Sequence, residues 1–247
     1  MVHALLLCAC GDPLLLGSDV VWSTDHETSD LADWSLDSRG GANAGAEADS
    51  AIEVTSERAH SGTYSVKLTR PAVNRDVGPL LFRELFPSKA YYSAWYNLPS
   101  APQTVSYWTI AQIRAVPADD SDGAPHGINV NLRVLPGGQV VLVVFDNDEA
   151  RLQAPLSEPA PFVPVDAWFH LEVEYENSGA LPGHLRVWLD GIRIYDLATG
   201  VLVDGSVGYF MPCNVAKQLE PSPAVVYVDD VAISLTRVGP DGLLTIE

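Results

Sequence analysis

Two runs carry side chains whose types and spacing could do chemistry. In residues 106–116, the period-2 alternation of a strand sets Trp108, Ile110, Gln112 and Arg114 on one face. In residues 128–134 the same alternation sets Asn129, Asn131 and Arg133 together, on a face expected to lie beside the first. An indole, amides and guanidinium groups in rows suit a sugar. The aromatic face stacks on the apolar side of a pyranose, while planar polar groups fix its hydroxyls. The structural alternative at the same residues is a core Trp108, with Gln112 and Arg114 merely lining a wet sheet face.

A second chemistry is suggested by acids at the two ends of the chain. Residues 225–235 are rich in β-branched and aromatic residues around Asp229-Asp230, which reads as a central strand holding two carboxylates. Residues 25–34 form another acidic segment, ending in Trp34. A hard cation between them would offset the repulsion, since Ca²⁺ accepts several carboxylate and carbonyl oxygens in flexible geometry. The expectation is a structural Ca²⁺ clasp of Glu27 and Asp230, helped by Asp25 and Asp229; the alternative is two solvated acidic turns. Asp119-Asp120-Ser121-Asp122-Gly123 lacks the downstream Glu of an EF-hand loop and reads as solvated.

Several phrases carry a family resemblance: the Asp25 to Trp34 motif, His60-Ser61-Gly62-Thr63-Tyr64-Ser65-Val66-Lys67-Leu68, Tyr91-Tyr92-Ser93-Ala94-Trp95-Tyr96-Asn97-Leu98-Pro99, Trp188-Leu189-Asp190-Gly191 and Tyr227-Val228-Asp229-Asp230-Val231. Together they resemble secreted concanavalin A-like jelly rolls over residues 22–236. This group includes carbohydrate-binding modules, laminin-G-like domains and the heparin-lyase-I-like and alginate-lyase-like polysaccharide lyases. The resemblance implies an all-β, two-sheet antiparallel jelly-roll β-sandwich with Ca²⁺ on Glu27 and Asp230.

Such lyases remove a proton beside a uronate carboxylate, so they need a neutraliser and a base. In the resembling families these come from a Gln-x-His strand and a strand bearing Tyr and Lys. Here the first reads Gln112-Ile113-Arg114, and an arginine cannot act as a base at ordinary pH. The second reads Gly208-Tyr209-Phe210-Met211-Pro212-Cys213-Asn214, with the Tyr but no Lys. A lyase would require Tyr209 as base, with Gln112, Arg114 and Asn214 neutralising the uronate. A retaining glycosidase needs two carboxylates about 5–5.5 Å apart; Glu172 and Glu174 have the right type, but alternation against Leu171 and Val173 points them outward. His170 shares that outward, wet face.

The elements that must position these groups are short strands. Gly 19 and Pro 18 punctuate Val-, Ile- and Tyr-rich runs, and no long stretch repeats at helical spacing. A chain of 247 residues fits one β-sandwich, divided as a leader and linker at 1–21, the jelly roll at 22–238 and a tail at 239–247. A net charge of −18 opposes polyanion approach and excludes nucleic acid as a partner. Leu7-Cys8-Ala9-Cys10-Gly11 resembles a bacterial lipobox with Cys10 lipidated, although no Lys or Arg precedes it. Loss of Cys8 and acylation of Cys10 would leave Cys213 alone, as a buried small hydrophobe.

The combined expectation is an extracytoplasmic, monomeric, calcium-bearing protein that binds a polysaccharide or oligosaccharide, secreted or membrane-anchored through Cys10. A divergent polysaccharide lyase and a cell-surface adhesion domain are the alternatives.

Overall fold

The alternating runs form strands β1 to β14. A computed structural model describes residues 19–35, 50–71, 78–85, 87–101, 108–117, 126–147, 151–157, 159–176, 183–199, 206–216, 219–220 and 222–241. Cys8, Cys10, the leader through residue 18, the 119–123 loop and the tail beyond residue 241 lie outside the described residues.

One sheet follows the order β12 (Ile192–Thr199), β11 (Gly183–Leu189), β10 (Trp168–Glu176), β4 (Lys89–Asn97), β14 (Ala224–Ser234), β3 (Ser65–Arg70) and β2 (Ala51–Thr55), with β1 (Val20–Thr24) also paired to β14. The other follows β13 (Ser206–Ala216), β5 (Trp108–Pro117), β6 (His126–Val134), β7 (Val140–Asp146) and β8 (Arg151–Leu152), with β9 (Phe162–Val163) on β7. Every pairing among the described strands is antiparallel. The fold is the expected two-sheet jelly-roll β-sandwich.

Alternation supplies the core. Tyr92, Ala94 and Tyr96 of β4 face in with Phe169, Leu171 and Val173 of β10, against Ile128, Val130 and Leu132 of β6. Full burial of each large apolar side chain contributes about 1.5–3 kcal/mol. The Asp190-Gly191 turn between β11 and β12 has φ of 48° and 79°, the left-handed geometry that an Asp-Gly hairpin permits.

The closing strand β14 changes partners midway. Its first half, Ala224 to Val228, pairs with β3, and its second half, Val231 to Ser234, pairs with β1. The register against β4 shifts between Asp229 and Ala232, and Asp230 has φ 44°. The Asp-Asp pair is thus a bulge at the changeover, and not part of a regular strand.

The outward face of β10 is not wet. Glu172 and Glu174 do point away from the core, but they are 0% and 2% exposed, and His170 is also buried. Chain 237–239 lies over Glu172, which accepts from Arg237 Nε at 2.9 Å, Val238 N at 2.7 Å and Gly239 N at 3.3 Å. Glu174 is held between Lys89 and Arg186 at 2.9 and 2.7 Å. Alternation reports which way a side chain points and cannot report what later segments fold over it.

Candidate carbohydrate site

A bulge decides which side chains β5 presents. Its register against β6 shifts between Thr109 and Ala111, so Trp108, Ala111 and Ile113 face the core while Thr109, Gln112 and Arg114 face the opposite way. Trp108 therefore does not share a face with Gln112 and Arg114 and cannot serve as a sugar platform. Its Nε1 donates to Asn214 Oδ1 at 2.9 Å. Asn214 in turn donates to Leu68 O and Ala224 O at 2.9 and 3.1 Å, tying the two sheets together. It is fully buried and serves this tie, not the neutralisation of a uronate. The backbone approaches closely here: a Cβ on Gly78 would stand 1.9 Å from Asn214 O, so only glycine fits.

On β6, which is regular, the expected face is intact. Arg114, Asn129, Asn131 and Arg133 line a cleft of about 320 Å³ with Val143, Phe145, Asn147 and Leu152. Gln112 is buried between Met211 and Asn129 in register and does not line it. A chain of polar contacts crosses the floor. Arg114 Nη2 reaches Asn129 Oδ1 at 3.4 Å, Asn129 Nδ2 reaches Asn147 Oδ1 at 3.3 Å, and Asn147 Nδ2 donates to Gly127 O at 2.9 Å. Asn131 accepts from Thr109 Oγ1 at 2.7 Å. Such contacts hold the amides in place. The charged residues lining the cleft are Arg114 and Arg133, so it is cationic within an acidic molecule.

Phe145 and Asn147 were not anticipated. Val141, Val143 and Phe145 alternate with Leu142 and Val144, which would have placed Phe145 beside Asn129, its register partner. Asn147 lies just past the end of β7, where alternation no longer applies.

Tyr209 lies in register with Arg114, on the same side of the sheet, but is not among the cleft's lining residues. Its ring packs on Phe82, centroids 4.3 Å apart. Loss of solvent, and then the charge of Glu84, push its hydroxyl above the ordinary phenol range, the wrong direction for a base. Burial likewise raises the Cys213 thiol. No His, Asp or Glu is among the lining residues described.

The two acidic segments do meet, through a third. Glu27 Oε1 accepts from Thr63 N and Tyr64 N, each at 2.8 Å. Asp229 accepts from His60 N at 2.7 Å, and Asp230 from His60 Nδ1 at 2.5 Å and Ser61 Oγ at 2.8 Å. The 60–64 loop is thus clasped by the first and last acidic segments. Asp25 accepts from Glu27 N at 3.1 Å and is exposed. Burial raises the Asp229 carboxyl, the His26 bond lowers it, and the Asp230 charge raises it further. Among the described residues, no three His, Cys, Asp or Glu side chains converge as metal ligands.

No family model and no curated protein matches the sequence. Solved structures do match. The chain superposes on the cellulose-induced protein Cip1 with TM-score 0.62 at 18% identity, covering 88% of this chain and 99% of that one. It superposes on an endo-β-1,4-glucuronan lyase from the fungus Trichoderma reesei with TM-score 0.60 at 16% identity, covering 92% and 100%. The alginate lyase vAL-1 from Chlorella virus gives 0.50 at 11% identity, covering 87% and 99%. The chain has the jelly-roll β-sandwich fold of these proteins.

Proposed function

We propose that this chain is an extracytoplasmic protein that binds a polysaccharide, with uronate residues held in the cleft of β5, β6 and β7. The observation that carries the reading is the cleft itself, in which two guanidinium groups and three amides converge beside Phe145. Planar donors can fix a carboxylate and hydroxyls while the ring covers an apolar sugar face. The structural neighbours, a cellulose-induced protein and glucuronan and alginate lyases, support a glycan ligand. Anchoring through a lipidated Cys10 belongs to the same reading. Its test is titration with glucuronan and alginate oligosaccharides, with Arg114→Gln as the variant that weakens binding.

The same reading makes the protein a binder and not a lyase, because none of the described lining residues is a suitable base. The second reading, a divergent lyase, is favoured by one observation: Tyr209 stands opposite Arg114 on the cleft side of the sheet. Turnover separates them, since β-elimination leaves an unsaturated uronate that absorbs in the ultraviolet.

A structural Ca²⁺ at Glu27 and Asp230 is part of the proposal. What supports it is the chemistry of the donors: carboxylates of Glu27, Asp229 and Asp230 all bond the 60–64 loop, and oxygens of this kind are those a hard cation takes, although they do not converge as a ligand set in this structure. Bound there, the ion would supply positive charge to a cluster of three carboxylates.

A further inference from the structure

The cleft does not end at Arg133. A second cavity, of about 350 Å³, opens beside it. Arg133, Val143 and Leu152 line both. One wall of the second cavity is the Pro-rich connection after β8. That connection is pinned to both sheets, through Gln153 N to Val144 O and Leu156 N to Ile194 O, each 2.9 Å. The cavity is therefore preformed.

Its chemistry differs from that of the cleft. Leu135, Val143, Leu152, Pro155 and Phe162 make its walls apolar, and the polar side chains among its lining residues are Arg133, Gln153 and Tyr195. The Tyr195 hydroxyl already donates to Leu142 O at 3.1 Å. A bare sugar ring entering here would exchange hydrated hydroxyls for apolar contacts, which is unfavourable when the hydroxyls lack partners. An ester-capped hydroxyl has no donor to satisfy, and its methyl group gains from burial.

We propose that the second cavity takes an O-acetyl ester carried by the sugar next to the one gripped in the cleft, so that the preferred ligand is an acetylated acidic glycan. The proposal rests on the reading of the cleft as a saccharide site. Arg133, at the boundary, spans the two sugars.

The test is calorimetric titration of the full chain with one oligouronate preparation, O-acetylated and after chemical deacetylation. The acetylated form should bind at least about tenfold more tightly, as expected for an apolar group filling an apolar pocket. Phe162 is 47% exposed, so Phe162→Ser should fold and bring the ratio to about one. Ala160→Trp, which fills the cavity, should do the same. Arg114→Gln, in the cleft alone, should weaken both forms and preserve the ratio. Equal affinity for the two forms, or a ratio retained in Phe162→Ser and Ala160→Trp, would overturn the acetyl preference and leave the cleft reading standing. Binding of neither form would overturn both.

Discussion

Trp108 donates its indole N–H to Asn214 at 2.9 Å, and through Asn214 the sheet containing β5 is bonded to β3 and β14 of the other. The two residues are a buried strut between the sheets. Asn214→Ala would leave the buried Trp108 indole N–H without this acceptor and take one bond from each of two carbonyls, and each unsatisfied buried group costs about 1–3 kcal/mol. Urea denaturation should show a loss of several kcal/mol, with glycan affinity of the folded fraction unchanged. A near-neutral Asn214→Ala, or one that folds well but loses binding, would contradict the strut.

The clasp predicts a metal response. Because an ion that binds only the folded state stabilises it by mass action, added Ca²⁺ should raise Tm and chelator should lower it. Glu27→Gln with Asp230→Asn should remove the response. A wild-type Tm indifferent to both treatments would leave the clasp to its hydrogen bonds alone.

His170 predicts a pH dependence. Burial, then the charges of His60 and Arg237, lower its pKa from 6.5 to about 3. The folded state thus keeps it neutral where the unfolded chain takes a proton. Stability should fall as pH drops below about 6.5, by up to about 1.4 kcal/mol per unit from this group. Denaturation between pH 4 and 7 should show a steeper decline in wild type than in His170→Gln; parallel profiles would remove His170 as the cause.

Tyr209 separates binder from lyase. With glucuronan and alginate oligosaccharides, wild type should produce no ultraviolet-absorbing unsaturated uronate. Tyr209→Phe should bind as wild type does, because the ring leans on Phe82 outside the cleft. Steady growth of absorbance, abolished in Tyr209→Phe, would make the protein a lyase.

Where strands are regular, alternation was enough to read which side chains share a face. Asn129, Asn131 and Arg133 share the cleft because β6 keeps one register against β7 from Ile128 to Val134. Trp108 was misplaced because a single extra residue near Ile110 reverses the facing of everything before it, and apolar residues on both sides hide the reversal. Asp229-Asp230 was legible as a pair needing partners. Its partners, His60 and Ser61, depend on a loop 168 to 170 residues away in sequence, beyond any local pattern. The same limit applies to His170 and Glu172, whose burial is supplied by other segments of the chain.

The most direct measurement is calorimetric titration of an oligouronate into wild type and into Arg114→Gln with Arg133→Gln. Charge-assisted hydrogen bonds are worth about 1.5–3 kcal/mol each. The account predicts saturable binding by wild type and a loss of at least about tenfold in the double variant, with its fold unchanged by circular dichroism. Absence of binding by wild type, or equal affinity in the double variant, would contradict it.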